Sequence, residues 1–381
     1  MAAAVVTKKR LLIVAALLAS SAPLLFAAIL PEERMDVLYH RYDGGGLTVD
    51  GPSVLVRKNI ADKFSVSGNY YVDNVSSASI DVITQASPFA DKRTEESLSL
   101  DYLFDRTMMT AGMIHSSESD YLSNTVHFDI SQDFFGDLTT LSMGYTRGSD
   151  TIKSNSNAAF KETATHQEYR VSVSQIVTRN LIVNLSEEII SDEGFLANPY
   201  RSFRYVNGSS YSWQQEIFPQ ARTSYTTTLG AKYHLPDTRA ALYGSYRYYN
   251  DGWDIKSNTL EVGYEHALPH GWIFDIHARY YKQNEANFYS DLFSNATEFK
   301  YMTRDKQLSA FHSMAAGVGI TYELPFKNSL IEKSSINLYW DHLKFDYENY
   351  RNATIKGVAP GTEPLYSFDA DVIRFFISVW Y

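Results

Sequence analysis

Residues 272–281 read WIFDIHARYY, and their alternation decides the fold. Trp272, Phe274, Ile276, Ala278 and Tyr280 are apolar or small, while Asp275, His277 and Arg279 between them are charged or titratable. One face of a helix recurs every three or four residues and one face of a strand every two, so this segment predicts a strand with one greasy and one wet side. The rhythm returns along the chain. Leu98, Leu100, Tyr102 and Phe104 alternate with Ser97, Ser99 and Asp101; Val126, Phe128 and Ile130 alternate with Thr125, His127 and Asp129. Tyr169, Val171 and Val173 stand against Arg170, Ser172 and Ser174, and Ile336, Leu338 and Trp340 against Asn337, Tyr339 and Asp341. These segments are near the 9–11 residues that a tilted strand needs to cross a bilayer.

The connectors alternate too. Short ones at 59–63, 105–107, 133–137, 178–180, 236–239, 269–271 and 325–333 take turns with longer ones at 76–92, 149–162, 192–222, 285–307 and 348–367. Two connections on the long side, 117–120 and 250–254, are short. Short turns on one side and long loops on the other are the pattern of a bacterial outer-membrane barrel. Fifteen strands stand out from Pro52 to Tyr381, and even parity asks for a sixteenth, which Asp36–Tyr42 (DVLYHRY) supplies before a turn at Gly44–Gly46. The expected fold is therefore all-β: a transmembrane antiparallel up-and-down β-barrel of about 16 strands, within a range of 14 to 18. Glu187 falls on the lipid-facing parity of Leu181, Val183 and Leu185, which calls for a bulge or a place near the outer rim.

Lys8, Lys9 and Arg10 precede the apolar run Leu11–Leu30, the order of a secretory signal peptide. Residues 1–28 are read as a cleaved signal helix and 35–381 as a single barrel domain in the outer membrane of a Gram-negative cell. Without the leader, net charge moves from -10 to -13, with 31 basic against 44 acidic residues, which argues against nucleic acid as a partner. The chain has no cysteine, so disulfides, thiolate metal sites and an acylated Cys are excluded. At the other end, Ile373, Phe375, Ile377, Val379 and the terminal Tyr381 share one parity. Outer-membrane barrels resemble one another in this ending, and Phe375, Ile377, Val379 and Tyr381 are expected to be read by the barrel assembly machinery.

Four stretches, DGGGLTVDGPSVLVRKN (43–59), GNYYVDNVSSASIDVIT (68–84), SLDYLFDRTMM (99–109) and SQDFFGDLTTLSMGYTRGSD (131–150), resemble an uncharacterised bacterial family, domain of unknown function 3570. The later two thirds resemble it by strand pattern more than by motif. The resemblance implies an outer-membrane protein and carries over no catalytic or binding residue. It also implies travel with a flavin-transferring protein and a small lipoprotein.

The inward parity collects the candidate lumen and selectivity residues: Asp101, His127, Asp129, Arg170, Arg247, Asp275, His277, Arg279, Asp341 and Arg374, with Lys232, Glu261 and Glu265. Mixed charge on a wet wall sorts solutes; the competing expectation is that opposite charges pair across the interior and rigidify a nearly closed barrel. The acidic group Asp73, Asp81, Glu95, Glu96, Glu118 and Asp120 has the oxygen ligands a divalent cation takes, but a solvated rim bridged to lipopolysaccharide explains it as well. No HExxH, phosphate loop or GxSxG elbow is present, so no metal, cofactor or catalytic set is expected. The leading expectation is a porin-like channel or export conduit with no chemistry of its own. A docking barrel that anchors an exported redox or flavinylated surface complex comes second, and an outer-membrane hydrolase third.

Overall fold

A computed structural model describes residues 29–77, 79–80, 84, 89–325 and 330–381; the leader expected at 1–28 and Asp81 lie outside them. In chain order the strands are β1 (Arg34–Gly44), β2 (Leu47–Ile60), β3 (Phe64–Ser77), β4 (Phe89–Phe104), β5 (Thr107–Ser117), β6 (Tyr121–Phe134), β7 (Thr139–Lys153), β8 (Lys161–Thr178) and β9 (Leu181–Gly194). They continue as β10 (Ser202–Asn207), β11 (Ser210–Gln215), β12 (Ala221–Leu235), β13 (Ala240–Asp251), β14 (Lys256–Ala267), β15 (Trp272–Gln283), β16 (Phe311–Glu323), β17 (Lys333–Arg351) and β18 (Leu365–Trp380). Among the described residues, sixteen of these close one barrel, each pairing with its sequence neighbour, and β10 with β11 makes a separate hairpin. β9 pairs with β12 across that hairpin, and β1 pairs with β18 to shut the ring.

The sixteenth strand expected at 36–42 is β1, bonded on both edges: Tyr39 stands opposite Pro52 and opposite Phe375. Its turn into β2 is made by Gly45 and Gly46 at φ 58° and 75°. Left-handed conformation at both central residues matches the twist of the flanking strands, and glycine takes it without a Cβ clash. Both barrel termini share one end of the barrel, the turn end; all the long loops share the other, the loop end, together with the short β1–β2, β5–β6 and β13–β14 connections.

Along several strands the apolar parity changes sides. On β17, Ile336, Leu338 and Trp340 point outward, and then Leu343, Phe345 and Tyr347 point inward and are buried, while His342, Lys344, Asp346 and Glu348 take the outer face. On β18, Phe375 and Ile373 face out; toward the loop end Val372, Ala370, Phe368 and Tyr366 face in, with Asp371, Asp369 and Ser367 outside. β1 does the same between Tyr39, outside, and Tyr42, inside. The register has no slip at these points, so the residue types change faces while the backbone does not. Below the inversion the outer face suits hydrocarbon; above it the outer face suits water and the interior becomes a packed core. On β15 the outward run Trp272 to Tyr280 rises about 20 Å at a tilt near 40°, close to the roughly 25 Å apolar band of such barrels.

Glu187 stays on the outer face without a bulge at its position. Its row, Val171–Glu187–Thr227, lies directly under Tyr169–Ile189–Tyr225, beyond which the outer face turns polar at Gln167 and Ser191. Thr227 Oγ1 donates to its carboxylate at 2.9 Å. The rim, one of the two expected solutions, is the one this strand uses.

Candidate functional site

The lumen wall toward the turn end carries the predicted charges, and they pair along the wall, between strands near one another in the ring. Arg57 Nη1 donates to Asp101 Oδ2 at 2.8 Å, and Thr110 Oγ1 donates to Asp101 Oδ1 at 2.7 Å. His127 Nδ1 and Asp129 Oδ2 are 2.9 Å apart, and Arg170 Nη2 donates to Asp129 Oδ1 at 2.7 Å. A longer chain runs from β13 to β18. The Tyr243 hydroxyl donates to Asp275 at 2.7 Å, His277 bridges Asp275 (2.7 Å) and Asp341 (2.6 Å), and Arg374 Nη2 donates to Asp341 at 2.8 Å. Arg279 faces Glu261 in the β14–β15 register, and both line a small cavity with His277 and Asp341. Arg247 reaches Glu188 at 3.3 Å and Lys232 reaches Glu265 at 3.7 Å.

His277, Asp341, Tyr243, His127 and Asp129 lie flat because the strand beneath them has glycine there. A Cβ on Gly317 of β16 would sit 2.2 Å from Asp341 Oδ1 and 2.3 Å from His277 Nε2, so the imidazole can pass from β15 to β17 only over a bare backbone. Gly263 does the same under the Tyr243 ring, and Gly112 and Gly144 under His127 and Asp129. Opposite charges therefore pair around the circumference, between strands near one another, and not across the interior as one of the two expectations had it.

At the loop end, apolar side chains of the strand ends and loops pack together as a cap. One apolar cluster contains Tyr42, Val49, Val75, Phe311, Leu343 and Phe345; a second contains Ile152, Ala164, Trp253, Ile255, Phe288 and Leu308. The first grows from β1–β3 and β16–β18 and the second from the β6–β8 and β13–β14 side, and Tyr289 packs against both. The aromatic packing thus spans the mouth from wall to wall. Burial raises the Tyr289 hydroxyl well above its ordinary range, so it stays a neutral donor, bonded to the Asn349 carbonyl at 3.1 Å.

Above these clusters an ionic network ties three loops together. Arg204, on β10, is fully buried. Its Nη1 donates to Glu363 Oε1 at 2.6 Å, its Nε donates to the Asp291 carbonyl at 2.8 Å, and its Nη2 bonds the Asp291 carboxylate. Arg304 donates to Asp291 Oδ1 at 3.0 Å and to the Tyr350 hydroxyl at 3.0 Å. Burial alone would push the Glu363 carboxyl up, but the Arg204 guanidinium outweighs it and holds the carboxyl below its ordinary range.

Among the other predicted residues, Phe375, Ile377 and Val379 face outward on β18 as expected. Tyr381 lies past the strand, its hydroxyl donating to the Arg57 carbonyl at 2.9 Å. The acidic group divides: Asp73 is buried against His40 and Arg93, Glu95 bonds Arg93, Glu96 faces outward, and Glu118 and Asp120 meet Asp91. Sequence reasoning missed His40, Arg204, Asp291, Arg304 and Glu363. The parity inversion on β17 and β18 was the available signal for the cap; for the loop network there is none, since Arg204 and Glu363 are 159 residues apart.

Lumen, wall and cap define the class: a closed β-barrel of the outer-membrane type. The chain belongs to the family described as Protein of unknown function (DUF3570), whose profile matches residues 78–366. The match runs through the later two thirds, where motifs are weak, and starts after the stretch at 43–59. No curated protein matches the sequence. A bacterial polysaccharide outer membrane secretin is similar in structure over 93% of this chain and 99% of its own, at 7% identity and a TM-score of 0.51. CdiB from Acinetobacter baumannii aligns over 91% of this chain at 8% identity and a TM-score of 0.49, and this chain spans 60% of its length. A Pseudomonas aeruginosa FadL homologue aligns over 93% of this chain and 91% of its own, at 9% identity and a TM-score of 0.43.

Proposed function

We propose that this chain is an integral protein of the bacterial outer membrane and a gated conduit, closed at the loop end by its own cap. The observation that carries this reading is the change of the interior from a polar, charge-lined lumen at the turn end to a packed aromatic plug at the loop end. An open porin has no plug, and a conduit needs the polar wall beneath it. The likeness to a polysaccharide secretin supports an export role only through the shared fold. Its neighbours in this reading are membrane lipid, lipopolysaccharide and the barrel assembly machinery, with a small lipoprotein or exported flavin protein as the partner that moves the cap.

We assign the barrel no chemistry of its own. His277 is held on both ring nitrogens by carboxylates, and so is His166, by Asp150 and Asp192. An imidazole that donates from both nitrogens has no lone pair left to act as a base. The test is conductance in planar bilayers. The intact barrel is expected to be closed, and a variant with residues 286–308 replaced by a short Gly-Ser link is expected to show steady openings. A closed trace in both overturns the conduit and favours the docking barrel.

A further inference from the structure

Away from the lumen charges, three carboxylates converge at the loop end. Asp91 lies near the loop-end start of β4, Glu118 and Asp120 lie in the connection between β5 and β6, and one oxygen from each is within 4.8 Å of the others. Neighbouring connections frame them. The Ser119 hydroxyl donates to Asp91 Oδ2 at 3.0 Å, and Asn155 Nδ2 donates to Ser119 Oγ at 2.9 Å. The Tyr200 hydroxyl donates to Asp120 Oδ2 and in turn accepts the Asn155 N–H at 2.6 Å.

The second oxygen of Asp120 is the observation that points to a ligand. Asp120 is 3% exposed, and its Oδ1 is shielded from solvent and accepts no hydrogen bond. A buried anionic oxygen without a donor is costly, more so beside two further carboxylates. Arg93, a nearby cation, is taken up by Asp73, Glu95 and Ser116.

We propose that Asp91, Glu118 and Asp120 form a divalent-cation site suited to calcium, which staples the β5–β6 connection to β4 and, through Tyr200 and Asn155, to the loops after β7 and β9. Calcium takes oxygen ligands at about 2.3–2.6 Å, so oxygens on opposite sides of one ion lie up to about 5 Å apart. The observed spacing fits one ion in contact with all three. Water fills the remaining positions, which puts the affinity with extracellular calcium modules, at a Kd of about 10⁻⁴–10⁻³ M. Magnesium demands about 2.0–2.1 Å in a near-ideal octahedron and gives up its waters reluctantly, so it binds more weakly here.

The test is calorimetric titration of the full folded chain in detergent with calcium chloride after chelation, and again with magnesium chloride. One saturable calcium site is expected, weakened at least about tenfold in Asp120→Asn and in Asp91→Asn, with heat-modifiable gel migration confirming that each variant is folded. If Asp120→Asn does not fold, Asp91→Asn, whose residue is partly exposed, decides. No saturable calcium binding by the intact chain, unchanged affinity in the folded variants, or tighter magnesium binding each overturns the site.

Discussion

Arg204→Ala probes how the cap is held. The guanidinium joins β10 to Asp291 in the 284–310 loop and to Glu363 in the 352–364 loop, and all three groups are nearly or wholly shielded from water. Removing one partner of a buried ion pair costs about 3–5 kcal/mol, because the remaining charge is left without a counterion. Asp291 keeps Arg304, so the orphan is Glu363 alone, and the low end applies: about 3 kcal/mol, or roughly a hundredfold in the equilibrium between closed and open cap. The loss falls on the loops because the barrel strands keep their own ladders. Hydrogen exchange of the folded protein, read by mass spectrometry, should show protection dropping about a hundredfold in peptides from 202–207, 290–304 and 352–364, with the sixteen barrel strands unchanged. Glu363→Ala added to Arg204→Ala should recover part of the loss, since it removes the orphan. Unchanged loop protection in Arg204→Ala would refute the reasoning, and so would an equal loss across every strand.

Gly317→Val forces a Cβ into the space of His277 and Asp341 and should cost about 1–3 kcal/mol in urea unfolding, while the outward Ala316→Val nearby should stay within about 0.5 kcal/mol. Ile377→Arg places a charge on the lipid-facing side and should lower stability in lipid by about 2–4 kcal/mol if its depth is near the midplane, less toward the interface. Glu363 has its carboxyl depressed in the folded cap, so its contribution is complete above its ordinary value of 4.5 and lost as pH falls through the lower folded value. Loop protection should therefore fall on acidification below about pH 4.5, and Glu363→Gln should begin loosened and lose this step.

The barrel was legible because a strand that faces lipid on one side and water on the other must alternate, and WIFDIHARYY can do nothing else. Parity also placed Asp101, Asp275 and Arg374 on the inner face. What those charges do there was not legible: His277 and Asp341 are 64 residues apart, and nothing in the local sequence AAGVGI marks Gly317 as the gap an imidazole crosses. The cap divides the same way. Its strand-borne half is written in β17, where the apolar parity passes from Trp340 to Leu343, because above the lipid the wet side and the packed side exchange. Its loop-borne half has no period, and the pairing of Arg204 with Asp291 and Glu363 arises only when three loops meet.

The parity inversion, with lipid outside below it and water outside above it, is most directly tested by single-cysteine labelling, since the chain has no cysteine of its own. Lys344→Cys and Asp369→Cys lie on the outer face above the inversion, and Val318→Cys and Ile377→Cys lie on the same face below it. In intact proteoliposomes treated with a membrane-impermeant maleimide, the first two should react and the second two should not. Labelling at Val318→Cys and Ile377→Cys as fast as at Lys344→Cys, or none at Lys344→Cys and Asp369→Cys, would contradict the placement of the membrane and the cap built upon it.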